Sequence, residues 1–374
     1  MVATIDRPIN SATARPTANV LSQSTNTDWL QGIRGIAALM VFLTHAVVAA
    51  EYRSGHHVPE ACYLLCYLGP LAVAVFIFLS GFTLGLPATR DGWRLKAPLA
   101  FFERRANRII PAYFAAIAAS IGIGIYITKD ISPYIFLTPD FWRPLFLIQD
   151  TAAAPYFNTP LWSLAVEWHI YAAFPLLLWS ARRWGPVRAI VGTFAVTCIG
   201  HHAAALAGYH YSAFELYAVF ALGVFTSWLV QNPSRLPAVS FSSISKIGFI
   251  IIVSFCMLIG WANYPTDSPT LNILTGVLCI PVFIALYHNE LPSATRLLNC
   301  RVVSALGAIS YSLYLLHWPI LQAVMIYTPK HSAIATLVEI VAIALPISLV
   351  VAGISYALFE RPYLRARVHA KAVS

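Results

Sequence analysis

The chain has 374 residues, of which 59% are hydrophobic and only 10% are charged, and its mean hydropathy is +0.70. Soluble domains carry about 25% charged residues, so this composition excludes an ordinary globular domain and indicates a polytopic membrane protein. The net charge of +9 would suggest a nucleic-acid partner if the protein were soluble. Here the cations cluster in the loops between apolar segments, where the positive-inside rule explains them, so we expect no nucleic acid to bind.

Residues 1–27 are rich in Ser, Thr, Ala and Asn and contain no apolar block. We predict a disordered cytoplasmic tail here, and not a cleaved signal, because the first apolar segment is itself long enough to span a membrane. Residues 28–362 form the predicted transmembrane domain, and residues 363–374 form a predicted basic cytoplasmic tail.

Hydropathy indicates about ten membrane-spanning helices, so the predicted fold class is an all-α integral membrane bundle. The predicted spans are residues 29–50, 68–87, 109–128, 162–180, 187–207, 212–230, 246–262, 269–288, 305–328 and 332–358. When successive loops are assigned to alternate sides, most of the 24 Lys and Arg residues fall on one side. The positive-inside rule makes that side the cytoplasm and places both termini there.

The first span carries Arg34 and His45 inside an apolar run. A charged Arg within a membrane helix costs roughly 2.5–3.5 kcal/mol, so such a residue usually faces a cavity or a partner. At about 100° and 1.5 Å per residue, the spacing puts both side chains on one face, roughly 16 Å apart. Two readings stay open, a snorkelling Arg with a hydrogen-bonded His, or a functional pair.

The next two spans contain further polar and small residues. Ser80 precedes Gly81 and Gly85, whose GxxxG spacing predicts a close helix contact. Arg105 and Arg108 lie three residues apart at the entry of the third span and share a helix face. They are either positive-inside anchors or a clamp for phosphates, since Arg presents a fixed fork of donors to an anion.

A carboxylate lies inside the fourth predicted span. The connection 129–160 before it is long and aromatic, which is typical of an interfacial belt, with a sugar platform or a re-entrant segment as alternatives. Glu167 then falls at a depth comparable to that of His45 and needs a partner there. His45 is the predicted one, because a carboxylate bound to one imidazole nitrogen makes the other nitrogen a better base.

The ninth span contains a cluster of polar side chains, in which Tyr314 and His317 lie three residues apart and can share a face. They either line a cavity or form a packed, hydrogen-bonded core pair. Glu339 in the last span is a carboxylate without an evident partner. The six cysteines lack the paired spacing of zinc sites, so we expect no metal.

Taken together, several segments resemble the acyltransferase-3 family of integral membrane acyltransferases, in the family's order and over nearly the whole chain. The matching segments are Arg34 with His45, FIFLSGF around Ser80, RRANRIIPAY around Arg105 and Arg108, LWSLAVE ending at Glu167, SYSLYLLHWP around His317, and the terminal FERP. The resemblance implies transfer of an acyl group, commonly acetyl, from cytoplasmic acyl-CoA to an acceptor at the outer side. It also implies that His45 is catalytic, that Arg105 and Arg108 hold the CoA end, and that Arg34 and Glu167 have roles.

The expected function is therefore an O-acyltransferase with acyl-CoA, and specifically acetyl-CoA, as co-substrate. We expect His45, oriented by Glu167, to act as general base on the acceptor hydroxyl, with a covalent acyl-histidine relay as the alternative. The predicted donor-binding residues are Arg34, Arg105 and Arg108, and the predicted substrate-cavity residues are Ser80, Trp162, Tyr314 and His317.

The expected partners follow from that function. They are the lipid bilayer, a carbohydrate or glycolipid acceptor, and glycan-assembly proteins. The expected location is the cell membrane, as a multi-pass protein of the bacterial inner membrane. A transporter of an acyl donor or sugar is the alternative, since it too would place charged residues in the membrane.

Overall fold

A computed structural model describes residues 27–59, 62–128, 139–151, 158–207, 213–261 and 268–363. Across these residues the secondary structure is helical, and no strand occurs among them. The helices are α1 Trp29–Ser54, α2 Tyr63–Arg90, α3 Pro98–Thr128, α4 Pro139–Leu145, α5 Trp162–Trp184, α6 Pro186–Leu206, α7 Glu215–Gln231, α8 Phe241–Trp261, α9 Pro269–Tyr287, α10 Pro292–Leu298, α11 Arg301–Ala308, α12 Ser310–Tyr327 and α13 Ala333–Ser355. A π-helical segment, Tyr356–Glu360, continues α13.

Seven of the described helices, α1, α2, α3, α5, α6, α9 and α13, are long and apolar enough to cross a membrane. Helices α11 and α12 meet the same criteria only as a pair, with a bend of 71° between them, so the predicted ninth span is broken. Two shorter apolar segments, Glu215–Val230 and Phe241–Cys256, lie in α7 and α8. The all-α, membrane-spanning character of the fold is confirmed, whereas the number of ten spans and the cytoplasmic position of the termini stay predictions.

Other predictions fall on residues outside the described part of the chain, which include nearly all of both predicted tails and the segments 129–138 and 152–157 of the aromatic connection. Part of the described connection packs into the bundle. Its buried Gln149 donates hydrogen bonds to the Tyr113 hydroxyl at 3.0 Å and to the Leu161 carbonyl at 2.8 Å. This segment therefore links α3 to the entry of α5.

Helices α2 and α7 are in backbone contact. A Cβ atom built on Gly81 would lie 2.1 Å from the Phe220 carbonyl oxygen, and one on Gly85 would lie 2.2 Å from the Ser227 hydroxyl. Gly223 of α7 approaches the α2 backbone equally closely, with a built Cβ at 2.1 Å. The close contact predicted from the GxxxG spacing is thus confirmed, and it fixes α2 at the residue next to Ser80.

Helix α1 lies at the centre of the bundle, in contact with α2, α11, α12 and α13. Its Trp29 and Phe42 are fully buried, and the Trp29 ring meets Phe283 of α9 edge-on, with ring centroids 5.3 Å apart. This central position explains how α1 carries polar side chains within an apolar run, because they face other helices of the protein instead of lipid.

Candidate functional site

A cavity lies among α1, α2, α3, α5 and α12 and encloses about 750 Å³ of space free of protein atoms, including its mouth. The charged residues of its wall are Arg34 from α1, Arg105 and Arg108 from α3, and Glu167 from α5. Apolar side chains of α2 and α5 complete much of the remaining wall.

The three guanidinium groups outnumber the single carboxylate of the wall, so the cavity favours an anionic ligand. Arg105 is held against aromatic faces: its guanidinium carbon lies 5.4 Å from the ring centroid of Tyr171 and 5.8 Å from that of Phe101. Such cation–π contacts stabilise the cation and fix the direction of its guanidinium group.

The carboxylate of Glu167 is hydrogen-bonded to other residues of the cavity wall. Its carboxylate accepts a hydrogen bond from the Ser80 hydroxyl at 2.7 Å and another from the Tyr171 hydroxyl. Tyr171 lies four residues further along α5 and therefore shares the face that carries Glu167. One tyrosine thus contacts Glu167 through its hydroxyl and Arg105 through its ring.

His45 lies away from this carboxylate. Its Nδ1 atom is 2.9 Å from the Val41 carbonyl oxygen and 3.2 Å from Nε2 of His317, and its ring meets the Trp318 ring at a centroid distance of 5.3 Å. The predicted hydrogen bond between Glu167 and His45 is therefore wrong for this structure. The two residues have comparable depth in the sequence, but His45 faces α12, whereas Glu167 faces α2.

His317 is a core residue that does not line the cavity, so the packed alternative describes it better than the predicted cavity position. Its side chain is 1% exposed, and its Nδ1 lies near the carbonyl oxygens of Leu313 and Tyr314. Tyr314 does line the cavity; its hydroxyl donates to the Pro160 carbonyl at 2.6 Å and lies 2.5 Å from the Ser163 hydroxyl.

Tyr314 therefore stands between two groups of predicted site residues. On one side is the cavity, whose wall includes the predicted residues Arg34, Ser80, Arg105, Arg108, Glu167 and Tyr314 itself. On the other side is the histidine pair, His45 and His317, with the His317 ring centroid 6.0 Å from that of Tyr314. Trp162 belongs to neither group and packs against the main hydrophobic cluster. Within the described residues no group of three or more His, Cys, Asp or Glu side chains is placed to hold a metal ion.

Sequence reasoning did not select three aromatic residues of the site, Phe101, Tyr171 and Tyr311. Tyr171 carried a usable signal, because a tyrosine four residues after a membrane carboxylate lies on its face. Tyr311 lines the cavity and donates its hydroxyl to the Ile109 carbonyl at 2.9 Å, a contact across helices that local spacing does not reveal.

Two acidic residues outside the cavity, Glu215 and Glu339, have partners of their own. Glu215 is buried and accepts a hydrogen bond from Asn272 at 2.9 Å. Glu339 lies 3.8 Å from His331, which supplies the partner that the sequence left open.

The fold and site define a class: a helical membrane protein with an arginine-lined cavity beside a pair of histidines. The family model Acyl_transf_3, described as an acyltransferase domain, matches residues 27–357. The chain therefore belongs to the acyltransferase-3 family, as its sequence segments indicated.

Three individual proteins of related sequence extend the comparison with the family. The chain is 33% identical over 155 residues to the acyltransferase MdmB of Streptomyces mycarofaciens, which covers 39% of this chain and 38% of MdmB. It is 24% identical over 365 residues to the O-acetyltransferase OatA of Staphylococcus aureus, covering 89% of this chain and 56% of OatA. It is 26% identical over 351 residues to the putative membrane-bound transacylase BcsY of Komagataeibacter xylinus, covering 89% and 81% respectively. The chain thus spans 56% or less of the length of the first two. No solved structure matches the chain.

Proposed function

We propose that this protein is a membrane O-acyltransferase that moves an acyl group, most simply acetyl, from cytoplasmic acyl-CoA to a hydroxyl of a carbohydrate-type acceptor at the outer side of the membrane. The observation that carries this proposal is the cavity with three arginines inside a domain of the acyltransferase-3 family. The relatives named acyltransferase, O-acetyltransferase and transacylase support the reaction class.

Donor binding is assigned to the cavity. Arg105 and Arg108 offer forked donors to the phosphates of CoA, and phosphate recognition is the task that guanidinium geometry suits best. The apolar wall, with Phe76 and Leu164, then surrounds the pantetheine and acyl end next to Arg34. On this assignment the first turns of α3 lie toward the cytoplasm, where acyl-CoA is available.

The chemical step is assigned to His45. Its free ring nitrogen accepts the proton of the acceptor hydroxyl while the hydroxyl oxygen attacks the thioester carbonyl carbon. The carbon–sulfur bond breaks, and the leaving thiolate receives the proton from the imidazolium, which yields an ester and free CoA. In the alternative, His45 attacks the thioester carbonyl carbon and the carbon–sulfur bond breaks to release CoA as the thiolate. The acceptor hydroxyl then attacks the acyl group on His45, the carbon–nitrogen bond breaks, and the hydroxyl proton ends on the thiolate.

This assignment requires movement at one place. Tyr314 lines the cavity next to His317, and its ring meets Phe76 edge-on with centroids 6.0 Å apart. For the thioester to reach His45, this pair of rings must turn aside when the donor binds. A bulkier or longer acyl group would be limited at the same point.

Location and partners follow from the same proposal. A carbohydrate or glycolipid acceptor, glycan-assembly proteins and the bacterial inner membrane fit an enzyme that takes acyl-CoA from inside and modifies material outside. Cytoplasmic termini fit this orientation as well, because the basic loops then lie on the side of the donor.

The deciding experiment incubates purified protein in lipid nanodiscs with acetyl-labelled acetyl-CoA and candidate glycans, followed by mass spectrometry of the glycans. Label in ester linkage on a glycan supports the proposal. The same protein in sealed vesicles tests the transporter alternative, which predicts uptake of donor or sugar without modification. Uptake without any ester product would overturn the enzyme assignment.

A further inference from the structure

We propose that His317 is the positioning residue of His45, the role that the sequence assigned to Glu167. This inference rests on the proposed function, since it takes His45 as the base. It concerns which side chain fixes the His45 ring, and which of its two nitrogens is free for the proton transfer.

The protonation of His317 follows from its neighbours. Its Nδ1 atom lies 2.8 Å from the carbonyl oxygen of Tyr314 and 3.1 Å from that of Leu313. A carbonyl oxygen only accepts hydrogen bonds, so Nδ1 must carry the hydrogen. In the neutral ring, Nε2 of His317 is then a bare acceptor, and this is the atom that points at His45.

The protonation of His45 follows in turn. Its Nδ1 atom faces two acceptors, Nε2 of His317 at 3.2 Å and the Val41 carbonyl oxygen at 2.9 Å. Nδ1 therefore carries the hydrogen and shares it between them. The lone pair of His45 is left on Nε2, which makes Nε2 the atom that accepts the hydroxyl proton.

Val41 and His317 contribute differently to this arrangement. The Val41 carbonyl belongs to the same helix as His45, one turn earlier, so it moves with the residue it binds. His317 belongs to α12, is 1% exposed, and lies beside Tyr314 of the cavity wall. The bond across helices therefore fixes the His45 ring relative to the cavity from which the thioester arrives.

Glu167 has a different assignment under this inference. Its hydrogen bonds run to Ser80 and Tyr171 within the cavity, beside the arginines. Replacing Glu167 by Gln should therefore change donor affinity and KM, whereas a change at His317 should act on kcat. This split between KM and kcat separates the two residues.

The test compares His317→Asn with His317→Gln in acetyl transfer. Asn places its amide where Nδ1 stood, so it keeps the contact with the Leu313 and Tyr314 carbonyls but leaves His45 without its acceptor on α12. Gln extends to the place of Nε2 and can present a carbonyl oxygen there. We expect Asn to lower kcat by about 10–100-fold with the donor KM little changed, as for partners that orient other functional histidines, and Gln to restore most of that loss.

The possible results distinguish a wrong role for His317 from a wrong proposed function. Wild-type kcat in His317→Asn, with His45→Ala inactive, would overturn the role of His317 and leave the enzyme assignment standing. An equal loss of kcat in the Asn and Gln variants would also overturn it, because the acceptor would not be the cause. Activity in His45→Ala would remove the proposed base and this inference together.

If the His317 variants fail to fold, the protonation of His45 can be measured in the wild-type protein instead. Histidine-selective ¹⁵N labelling and solid-state NMR of the wild-type protein identify His45 as the signal lost in His45→Ala. We expect that ring to be protonated at Nδ1 and bare at Nε2, with a through-space contact to the His317 ring. Protonation at Nε2 of neutral His45 would overturn the proposal. In the kinetic comparison of the His317 variants, His331→Asn, at a half-exposed histidine, is the control for unspecific effects.

Discussion

The arginine-lined cavity and the His45–His317 pair both adjoin Tyr314, yet they contain opposite kinds of group. The cavity contains three guanidinium groups and a carboxylate from α1, α3 and α5. The pair consists of two imidazoles from α1 and α12, whose polar contacts are to each other and to backbone carbonyls. Charged side chains are therefore concentrated where the proposed anionic donor would be held, and imidazoles lie where the proposed proton transfer would occur.

This separation has a physical reason. A carboxylate next to the arginines offsets part of their mutual repulsion and is itself stabilised by them. In the proposed reaction the base must be uncharged to accept a proton, and the polar contacts of His45 are to the Val41 carbonyl and to the His317 ring. Binding and chemistry can thus be altered one at a time, which the following variants exploit.

The largest effect is expected for His45→Ala. A positioned base contributes about 10²–10⁴-fold to the rate, so acetyl transfer should fall by that factor while CoA binding stays near the wild-type value. Initial rates and CoA binding on the same preparation check this. His331→Ala, at a half-exposed histidine, is the matched control and should be neutral. Near-normal turnover of His45→Ala would show that His45 is not the base and that the histidine pair is not the site of proton transfer.

Next come the arginines of the cavity. Each of Arg105→Gln and Arg108→Gln should weaken CoA binding by about 10–100-fold, since hydrogen bonds to charged groups contribute roughly 1.5–3 kcal/mol. Arg104→Gln is the matched control, because Arg104 lies on the same turn of α3 but does not line the cavity. Equilibrium CoA binding gives the affinities. Equal affinities in all three variants would make Arg105 and Arg108 topological anchors only.

The contrast between the two regions also shows how far sequence reasoning extends. Helical spacing places Arg105 and Arg108 on one face, and both line the cavity. The cost of buried charge correctly singled out Arg34 and Glu167 as residues facing the protein interior. These inferences need only the period of one helix and the solvent around it.

The pairing of helices is what spacing does not supply. Glu167 and His45 have similar depth, but depth does not tell which helices meet, so their predicted bond was wrong. The break in the ninth predicted span also depends on which helices meet. A Cβ on Gly307 would lie 2.0 Å from the Gln31 carbonyl oxygen, so α11 ends against α1 through a tertiary contact that no local pattern shows.

A further variant, Gly81→Ala, tests the packing that holds Ser80 and the cavity wall. Gly81→Ala inserts a methyl group where the Phe220 carbonyl oxygen lies 2.1 Å away, and should lower the free energy of unfolding by about 1–3 kcal/mol. Gly122→Ala in α3 meets no atom within 4 Å and is the matched control, with no loss expected. Thermal unfolding in nanodiscs measures both. Unchanged stability of Gly81→Ala would mean that the α2–α7 contact is not tight.

The smallest effect, and the sharpest test of the separation, is expected for Tyr171→Phe. Phe keeps the ring against Arg105 but removes the hydroxyl that binds Glu167, so CoA affinity should fall by only about 2–10-fold, equivalent to one hydrogen bond of roughly 0.5–1.5 kcal/mol. Tyr126→Phe, at a tyrosine that is 66% exposed, is the control. Tyr171 contacts residues of the cavity wall, whereas His45 does not. We therefore expect kcat at saturating donor to stay within about twofold of the wild-type value, which corresponds to the lower end of that hydrogen-bond energy. A fall in kcat with unchanged CoA affinity would show that Glu167 acts on the proton transfer after all, and the division between the cavity and the histidine pair would fail.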